Sequence, residues 1–424
     1  MPPSFHLRRA AAGALCALAT MPALAGDKPG GELRLSWTER GASAAGPLAE
    51  ANRRLAGIAP PPSDSALVEA ELRHTLRFKP FGTPLALSGN LLLQAQDAPR
   101  DAASADARVN EVNAAVDLGA WQLVAGKKVV GWDVGYGFRP NDVVQQEARR
   151  TLLAATPEGR PLLQLEHFGA ESALSMVWVN PQRLDTDDDA SRGAAESALA
   201  LRAYRRFGAL DAFGFGRIGA HTGASAGAAL SWVATDAIEL HASWRVQQRH
   251  DGWQLASGIG AAPTAANPWR QATRGGTAQW LLGGTWTGEL QQSVMLEYWH
   301  DGTALPDREW DAWRLRNRAL SAAPGPAIRG AASLAWQATP FAAPSLRQDN
   351  LFVRLSWQPG RWQLSADTLY NPADHGRLHT LAAQWQGERW RLNAAWRFAA
   401  GPADALVKQL PTRRSLLLAA TLAF

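Results

Sequence analysis

Cysteine is nearly absent from this sequence, which has one, Cys16, in 424 residues. A chain with one thiol forms no internal disulfide and no thiolate metal cluster. The sequence also lacks any stretch of about 20 apolar residues, the length that a membrane-spanning helix needs. The sequence also lacks a large excess of one charge, since it contains 43 Lys and Arg and 38 Asp and Glu. So near a balance does not indicate a nucleic-acid-binding protein.

The first 25 residues predict an export signal. Arg8 and Arg9 precede an apolar stretch (residues 10–20) that is too short to span a bilayer, and Ala23-Leu24-Ala25 has the small-x-small pattern that signal peptidase cleaves. We therefore predict a signal peptide over residues 1–25. Its removal would leave a mature chain without cysteine and with 41 basic residues, since two of the 43 are lost, against 38 acidic ones.

Apolar and polar side chains alternate along many segments of the chain. The clearest examples are residues 68–79, 238–247, 351–358, 390–398 and 415–424. A period of two places one set of side chains on each face of a β-strand. Strands of roughly 9–11 residues that recur along nearly the whole chain are typical of a transmembrane β-barrel.

Tryptophan is abundant and tyrosine is scarce, with 19 and four residues respectively. Many of the tryptophans lie at the ends of apolar faces: Trp37, Trp121, Trp178, Trp232, Trp244, Trp286, Trp357, Trp362, Trp385, Trp390 and Trp396. Indole rings favour the headgroup level of a membrane. The main alternative is a soluble β-sandwich, whose strands are shorter, about 5–6 residues, and whose apolar face packs into a core. The tryptophans favour the barrel.

Short and long connections alternate between the predicted strands. The short turns are residues 119–120, 235–236, 287–288, 358–360 and 386–388. The long polar or Gly/Pro-rich segments are residues 39–64, 97–106, 132–160, 181–196, 250–274, 301–347 and 399–413. Outer-membrane barrels have short periplasmic turns and longer external loops.

This alternation predicts an all-β fold, a single antiparallel transmembrane barrel over residues 26–424. It has about 18 strands, within a range of 16–20, and both termini are periplasmic. Within residues 301–347, Ala332, Leu334 and Trp336 leave two interpretations, a further strand pair or a structured loop.

The last strand ends in Phe424, and an alternating strand that ends in Phe resembles the signal that bacterial outer-membrane proteins present to the barrel-assembly machinery. This resemblance implies that Phe424 is an assembly signal. It also implies that the partners are that machinery, periplasmic chaperones, outer-membrane lipid and lipopolysaccharide.

Residues 126–142 are similar to segments of proteobacterial porin-like proteins, in which a basic strand end leads into a Trp-Gly turn and a Pro/Asp loop. Here Trp132-Asp133 stands where Trp-Gly is usual. The chain also resembles alginate-export-like channels in size and strand number.

Motifs for chemistry are few. There is no His-Glu-x-x-His and no Walker-type phosphate loop. His241 with Ser243, and His300 with Asp301, are the pairs that a barrel-borne hydrolase would use. Oxygen and imidazole ligands for a metal would come from Asp374, His375 and His379, or from Asp185, Asp187, Asp188 and Asp189 in a predicted external loop. Lumen-lining and solvated side chains are the simpler interpretation, so we predict no enzyme, no metal and no cofactor.

The predicted inner face carries charges of both signs. It includes Arg34, Glu69, Glu71, Arg73, Arg77, Glu111, Asp117, Glu239, Arg245, Glu297, Arg354, Asp367, Arg391 and Arg397. Unpaired charges in a dry interior would cost several kcal/mol each, so they indicate a water-filled lumen. A plugged barrel in which the charges neutralise each other is the alternative interpretation.

We therefore predict a porin-like channel for small polar or anionic solutes. The alternative function is export of an exopolysaccharide or another polymer. The pattern of the outer face is the same for lipid contact and for subunit contact, so it leaves monomer and trimer open.

Residues 132–160 form the longest connection in the first half of the chain. The glycines from Gly131 to Gly137 allow sharp turns or close approaches. The charged members of the segment are Arg139, Asp142, Glu147, Arg149 and Arg150, and apolar pairs at 143–144 and 152–153 can pack against a wall. The segment either folds into the lumen as a constriction loop or stays outside as a solvated loop.

Overall fold

The computed structural model describes residues 30–98, 101–145, 156–181, 195–260 and 262–424. The strands are β1 (Gly30–Ala42), β2 (Ser65–Phe78), β3 (Leu85–Ala98), β4 (Asp101–Leu118), β5 (Trp121–Lys128), β6 (Arg160–Phe168), β7 (Ser172–Val179), β8 (Ala198–Phe207), β9 (Leu210–Gly219), β10 (Gly223–Thr235), β11 (Ile238–Gln247), β12 (His250–Leu255), β13 (Trp269–Arg274), β14 (Thr277–Thr287), β15 (Gln292–Asp301), β16 (Asp349–Trp357), β17 (Trp362–Asn371), β18 (Gly376–Gln386), β19 (Trp390–Ala400) and β20 (Thr412–Ala423). The α-helices are α1 (Pro47–Arg54), α2 (Asp307–Ala322), α3 (Ala327–Trp336) and α4 (Leu406–Gln409). The predicted signal peptide lies outside the described residues and stays a prediction.

Eighteen of the described strands form one closed antiparallel sheet. Each strand pairs with the next along the chain, β11 pairs with β14, and β20 pairs with β1 to close the ring. Strands β12 and β13 form a separate hairpin within the β11–β14 connection. The predicted antiparallel barrel of about 18 strands is therefore confirmed.

The two faces of the barrel differ as the period of two predicts. On β19, Trp390, Leu392 and Trp396 point outward and are 49%, 46% and 43% exposed. Seven tryptophans form a group near the short-turn end of the barrel: Trp121, Trp232, Trp286, Trp357, Trp362, Trp385 and Trp390. Exposed Leu and Trp on a closed sheet are what contact with lipid requires.

Both described chain ends lie at the end of the barrel with the short turns. The Gly31 N–H donates to the Phe424 carbonyl, and the Phe424 N–H donates to the Gly31 carbonyl, each at 3.0 Å. That this end is periplasmic stays a prediction.

The long connection predicted at residues 97–106 is wrong, because β3 continues to Ala98 and β4 begins at Asp101. Small and acidic side chains resemble a loop in sequence. However, backbone pairing beyond the hydrocarbon region needs no apolar side chain.

Four connections at the opposite end pack into a small cap. It consists of α1, the β12–β13 hairpin, α2 with α3, and α4. Its core contains Trp269, Leu305, Trp310, Trp313, Phe341 and Leu406. Residues Ala332, Leu334 and Trp336 lie in α3, which decides between the two earlier interpretations in favour of a structured loop.

Among the helices in the described ranges, none is both long enough and apolar enough to cross a membrane.

Candidate functional site

The connection from β5 to β6 enters the barrel interior over its described part. We call residues 129–145 the lumenal segment. Its apolar residues Trp132, Val143 and Val144 are buried against inward-facing residues of the wall, among them Leu162, Val177, Ala200, Phe215 and Ala229. These wall residues belong to strands β6 to β10, so apolar packing fixes one side of the segment to that part of the wall.

A polar anchor ties the same segment to strand β11. Asn141 Nδ2 donates to Ser243 Oγ at 2.9 Å and to the Trp244 carbonyl at 3.0 Å. Ser243 Oγ in turn donates to Asp133 Oδ1 at 2.7 Å. A Cβ on Gly227 would lie 2.0 Å from Asn141 Oδ1, so only glycine admits Asn141 there. Asn141 is fully buried, which makes these hydrogen bonds costly to lose.

A second anchor lies on strand β15. The carboxylate of Glu297 accepts hydrogen bonds from the Tyr136 and Gly137 N–H groups, both at 2.7 Å. Nearby, the Phe138 ring stacks on Trp299 with ring centroids 5.8 Å apart. Glu297 and Ser243 lie near the middle of their strands, so the segment reaches the middle of the barrel.

The exposed side of the segment carries Tyr136, which is 41% exposed. Its ring stacks on Phe352 with centroids 5.8 Å apart, and its hydroxyl accepts a hydrogen bond of 2.6 Å from Arg354. Arg354 also forms an ion pair of 3.2 Å with Asp367 on the next strand. Asp367 pairs in register with Thr380, Thr380 pairs with Arg397, and Arg397 Nε donates to Thr380 Oγ1 at 3.1 Å. Two guanidinium groups therefore lie beside one carboxylate at this point of the wall.

The wall formed by β19, β20 and β1 to β3 carries charges that pair with close neighbours. Arg34 pairs with Glu69 at 3.1 Å, Arg73 with Glu71 at 2.8 Å, and Arg391 with Glu32 at 3.0 Å. Pairs of this kind reduce the cost of carrying charge in a narrow space. These ion pairs are consistent with a hydrated inner wall that presents both positive and negative groups to the lumen.

The residues predicted to line the pore all fall on the inward-facing register of their strands. The members not yet placed are Arg77, Glu111, Asp117, Glu239 and Arg245. Glu111 accepts from the Val129 N–H at 2.8 Å, and Asp117 accepts from Gln122 Nε2 at 2.6 Å. Arg245 donates to the Pro140 carbonyl at 3.1 Å, so it supports the lumenal segment.

The constriction-loop candidates divide into two groups. Arg139 donates from Nε to the Gly135 carbonyl at 2.8 Å, and its own carbonyl accepts from the Asp142 N–H at 3.3 Å. These contacts curl the segment on itself. Glu147, Arg149 and Arg150 lie outside the described residues, as do Asp185, Asp187, Asp188 and Asp189.

The candidate hydrolase pairs and metal ligands form hydrogen bonds and ion pairs with other residues. His241 contacts Glu239 and Glu297, while Ser243 donates to Asp133. His300 contacts Asp349, and Asp301 accepts from Gln279 and Thr303. Asp374 binds Arg347, whereas His379 contacts Thr368. In the part of the chain that the structure describes, no group of three or more His, Cys, Asp or Glu is placed to hold a metal ion.

Two glycine patterns were missed in the sequence. Residues 214–219 match G-x-G-x-x-G, and residues 223–227 match G-x-S-x-G. Both patterns require a turn between a strand and a helix, but these lie within the continuous strands β9 and β10. Ser225 accepts a hydrogen bond of 3.1 Å from Arg245, which gives it a structural contact.

The anchoring residues Glu297, Asn141 and Asp133 were not predicted to position the segment. Only the spacing of glycines from Gly131 to Gly137 indicated close backbone approaches there.

No protein-family profile matches the sequence, and no curated protein matches it. Among solved structures it is similar to a variant of the Rhodopseudomonas blastica porin, with 10% identity and a TM-score of 0.43 over 94% of this chain and 99% of that one. It is also similar to OprD of Pseudomonas aeruginosa, with 10% identity and a TM-score of 0.48 over 93% and 94% of the two chains. Both TM-scores are below 0.5, so these similarities say nothing about the function of this chain.

Proposed function

We propose that this protein is an outer-membrane channel through which small polar or anionic solutes diffuse. The observation that carries the proposal is the contrast between the two faces of one closed sheet. Leu and Trp side chains cover the outside, whereas Arg, Glu, Asp and Asn side chains face the enclosed space. A barrel of 18 strands is wide enough to hold water between such walls.

The lumenal segment is the element that narrows this channel. It occupies the side of the lumen next to β6–β11 and β14–β16, so solutes pass between its exposed Tyr136 and the opposite wall. Arg354 and Arg397 flank a single carboxylate, Asp367, along this passage. Guanidinium groups at a constriction favour anions.

A segment fixed across the lumen suits small solutes better than a bulky polymer. The geometry therefore supports diffusion over export of a polymer, and transport over catalysis.

The partners follow from this setting. A β-barrel with an apolar outer face requires outer-membrane lipid and lipopolysaccharide around it. Insertion by the barrel-assembly machinery, after delivery by periplasmic chaperones, remains part of the proposal. It is supported by the last strand, which ends at Phe424 beside Gly31.

Conductance in a planar lipid bilayer tests the proposal. Purified, refolded protein should give discrete steps in KCl, and a salt gradient should give a reversal potential displaced toward chloride. Swelling of protein-loaded liposomes should distinguish small sugars and carboxylates from oligosaccharides. A folded barrel that gives neither current nor swelling would contradict the channel. Liposomes that swell as fast in long polymers as in small sugars would favour export of a polymer.

A further inference from the structure

Three inward-facing residues on neighbouring strands form a row beneath the lumenal segment, and two of them, His241 and Glu297, are buried. His241 of β11 pairs in register with Gly283 of β14, which pairs with Glu297 of β15. His241 Nε2 lies 3.0 Å from Glu297 Oε1, and His241 Nδ1 lies 2.9 Å from Glu239 Oε2. Glu297 is 0% exposed. A carboxylate buried in this way is costly unless hydrogen bonds and an opposite charge surround it.

The lumenal segment supplies the rest of that stabilisation. The consecutive N–H groups of Tyr136 and Gly137 donate to the two oxygens of Glu297, one to each, at 2.7 Å. Hydrogen bonds to a carboxylate are about twice as strong as neutral ones. Because the donors are backbone groups, the contact fixes the path of the chain itself.

Two glycines make this approach possible. A Cβ on Gly283 would lie 2.3 Å from His241 Nε2 and 2.8 Å from Glu297 Cγ. A Cβ on Gly137 would lie 2.9 Å from Glu297 Oε2. Neither glycine has a positive φ, so both positions need space and not a special backbone conformation.

We propose that Glu297, held in place by His241, is the positioning residue that fixes the lumenal segment across the channel and thereby sets its conductance. The inference rests on the proposed function. Glu297 acts through Tyr136, whose hydroxyl contacts Arg354 at the open side of the passage. Without the Glu297 carboxylate, residues 136–137 detach while Asn141 and Trp132 still hold the flanking chain to the wall.

Two variants test the proposal: one removes the charge of Glu297, and the other adds a methyl group beside it. E297Q keeps the size of the side chain but removes one acceptor and the charge. G283A removes no charge but forces His241 and Glu297 apart. Both should raise single-channel conductance and open-channel current noise, whereas a purely structural role would lower the unfolding temperature and leave the current unchanged.

Each variant has a matched control. E69Q also removes an inward-facing carboxylate, but Glu69 pairs with Arg34 on β1, outside the contacts of the segment described above. G89A adds the same methyl group within a strand where a Cβ meets nothing within 4 Å. Neither control should change the current noise.

Amide hydrogen exchange gives a readout that does not depend on conduction. The peptide containing residues 133–138 should exchange faster in E297Q and G283A than in wild type, with the barrel strands still protected. Unchanged exchange and unchanged conductance in folded E297Q would overturn this proposal alone. A wild-type barrel that carries no current would overturn the proposed function, and with it the role of Glu297 in conductance.

Discussion

Asn141 of the lumenal segment donates a hydrogen bond of 2.9 Å to the hydroxyl of Ser243, a residue in the middle of strand β11. The two residues are 102 positions apart in the sequence. A connection that leaves the barrel wall at β5 is therefore fixed to the inner surface on the far side of several strands.

A disulfide should capture this arrangement. In the N141C/G227C double variant the cysteines come close, because a Cβ on Gly227 would lie 2.9 Å from Asn141 Cγ. Disulfides span about 3.5–4.5 Å between Cβ atoms. The predicted leader holds the one native cysteine, so its removal would leave no competing thiol.

Mild oxidation of the folded barrel should yield the intramolecular cross-link between the two cysteines, which mass spectrometry detects. N141C/G208C, with its second cysteine in a short turn, should not form it. Failure of the first pair would contradict an inward-folded segment.

The two faces of β19 should tolerate a cation differently. Leu392 points outward, whereas the neighbouring Asn393 points inward. L392R should lower the free energy of unfolding by about 2–4 kcal/mol if the residue lies near the bilayer midplane. N393R should cost little because it meets water. Urea unfolding from lipid vesicles measures both, and equal midpoints would refute the assigned register.

Phe424 should be needed for assembly more than for export. Its backbone completes the pairing with Gly31, and its side chain is 47% exposed at the end of the last strand. Deleting Phe424, or replacing it with Asp, should reduce heat-modifiable barrel in the outer membrane while the processed chain still reaches the periplasm. F424Y, which keeps an aromatic ring, is the control. Equal yields of folded barrel for the Asp and Tyr variants would exclude an assembly role.

Arg354 should contribute to the ion preference of the channel. R354Q removes the cation that faces Tyr136 and leaves Asp367 without its partner at 3.2 Å. The reversal potential in a KCl gradient should therefore move toward the potassium potential. R205Q removes an arginine from the outward-facing register of β8, where Arg205 lies over Phe207, and should have no effect. The same shift in both variants would indicate a nonspecific change in charge.

The cap should loosen in acid when Asp374 is protonated. Burial alone would raise the pKa of this carboxyl, but the Leu406 N–H, Arg347 and the Gly376 N–H outweigh burial and hold the pKa below its usual value. The stabilisation is therefore present above the unfolded value of about 3.9 and is lost as pH falls through the folded pKa. Tryptophan fluorescence of the cap should change only below about pH 4, in the range where this carboxyl becomes protonated.

Breaking the same ion pair should loosen the cap at neutral pH. Arg347 and Asp374 are both buried and lie 2.8 Å apart. D374N removes the buried carboxylate and leaves Arg347 with the exposed Asp307, 2.7 Å away. The loss of stability should therefore stay below the about 3–5 kcal/mol that an uncompensated buried charge typically costs. Limited trypsin digestion should then cleave within residues 302–348. D404N, which changes an exposed residue of a neighbouring connection, should stay resistant to trypsin. Equal resistance of D374N would show that the Arg347–Asp374 ion pair does not stabilise the cap.

The sequence alone determined the barrel, because alternation along a strand directly reports which side chains meet lipid and which meet water. Leu392 and Asn393 are assigned to opposite faces by that rule, and the strand pairing agrees. Glu111 and Arg397 are likewise assigned to the inner face. The strand number followed from counting alternating segments and turns. The rule failed at Asp101, where strands outside the hydrocarbon region no longer need apolar side chains.

The tertiary structure decided what fills the lumen. Asn141 meets Ser243, and Tyr136 meets Glu297, only because strands distant in sequence are neighbours around a closed ring. A loop's apolar residues, such as Val143 and Val144, look the same in sequence whether they pack on a wall inside or form a helical turn outside. The choice depends on acceptors and space that other strands provide, including the room left by Gly283. Local sequence patterns record the environment of a strand, but they do not record which distant groups satisfy the hydrogen bonds of a loop.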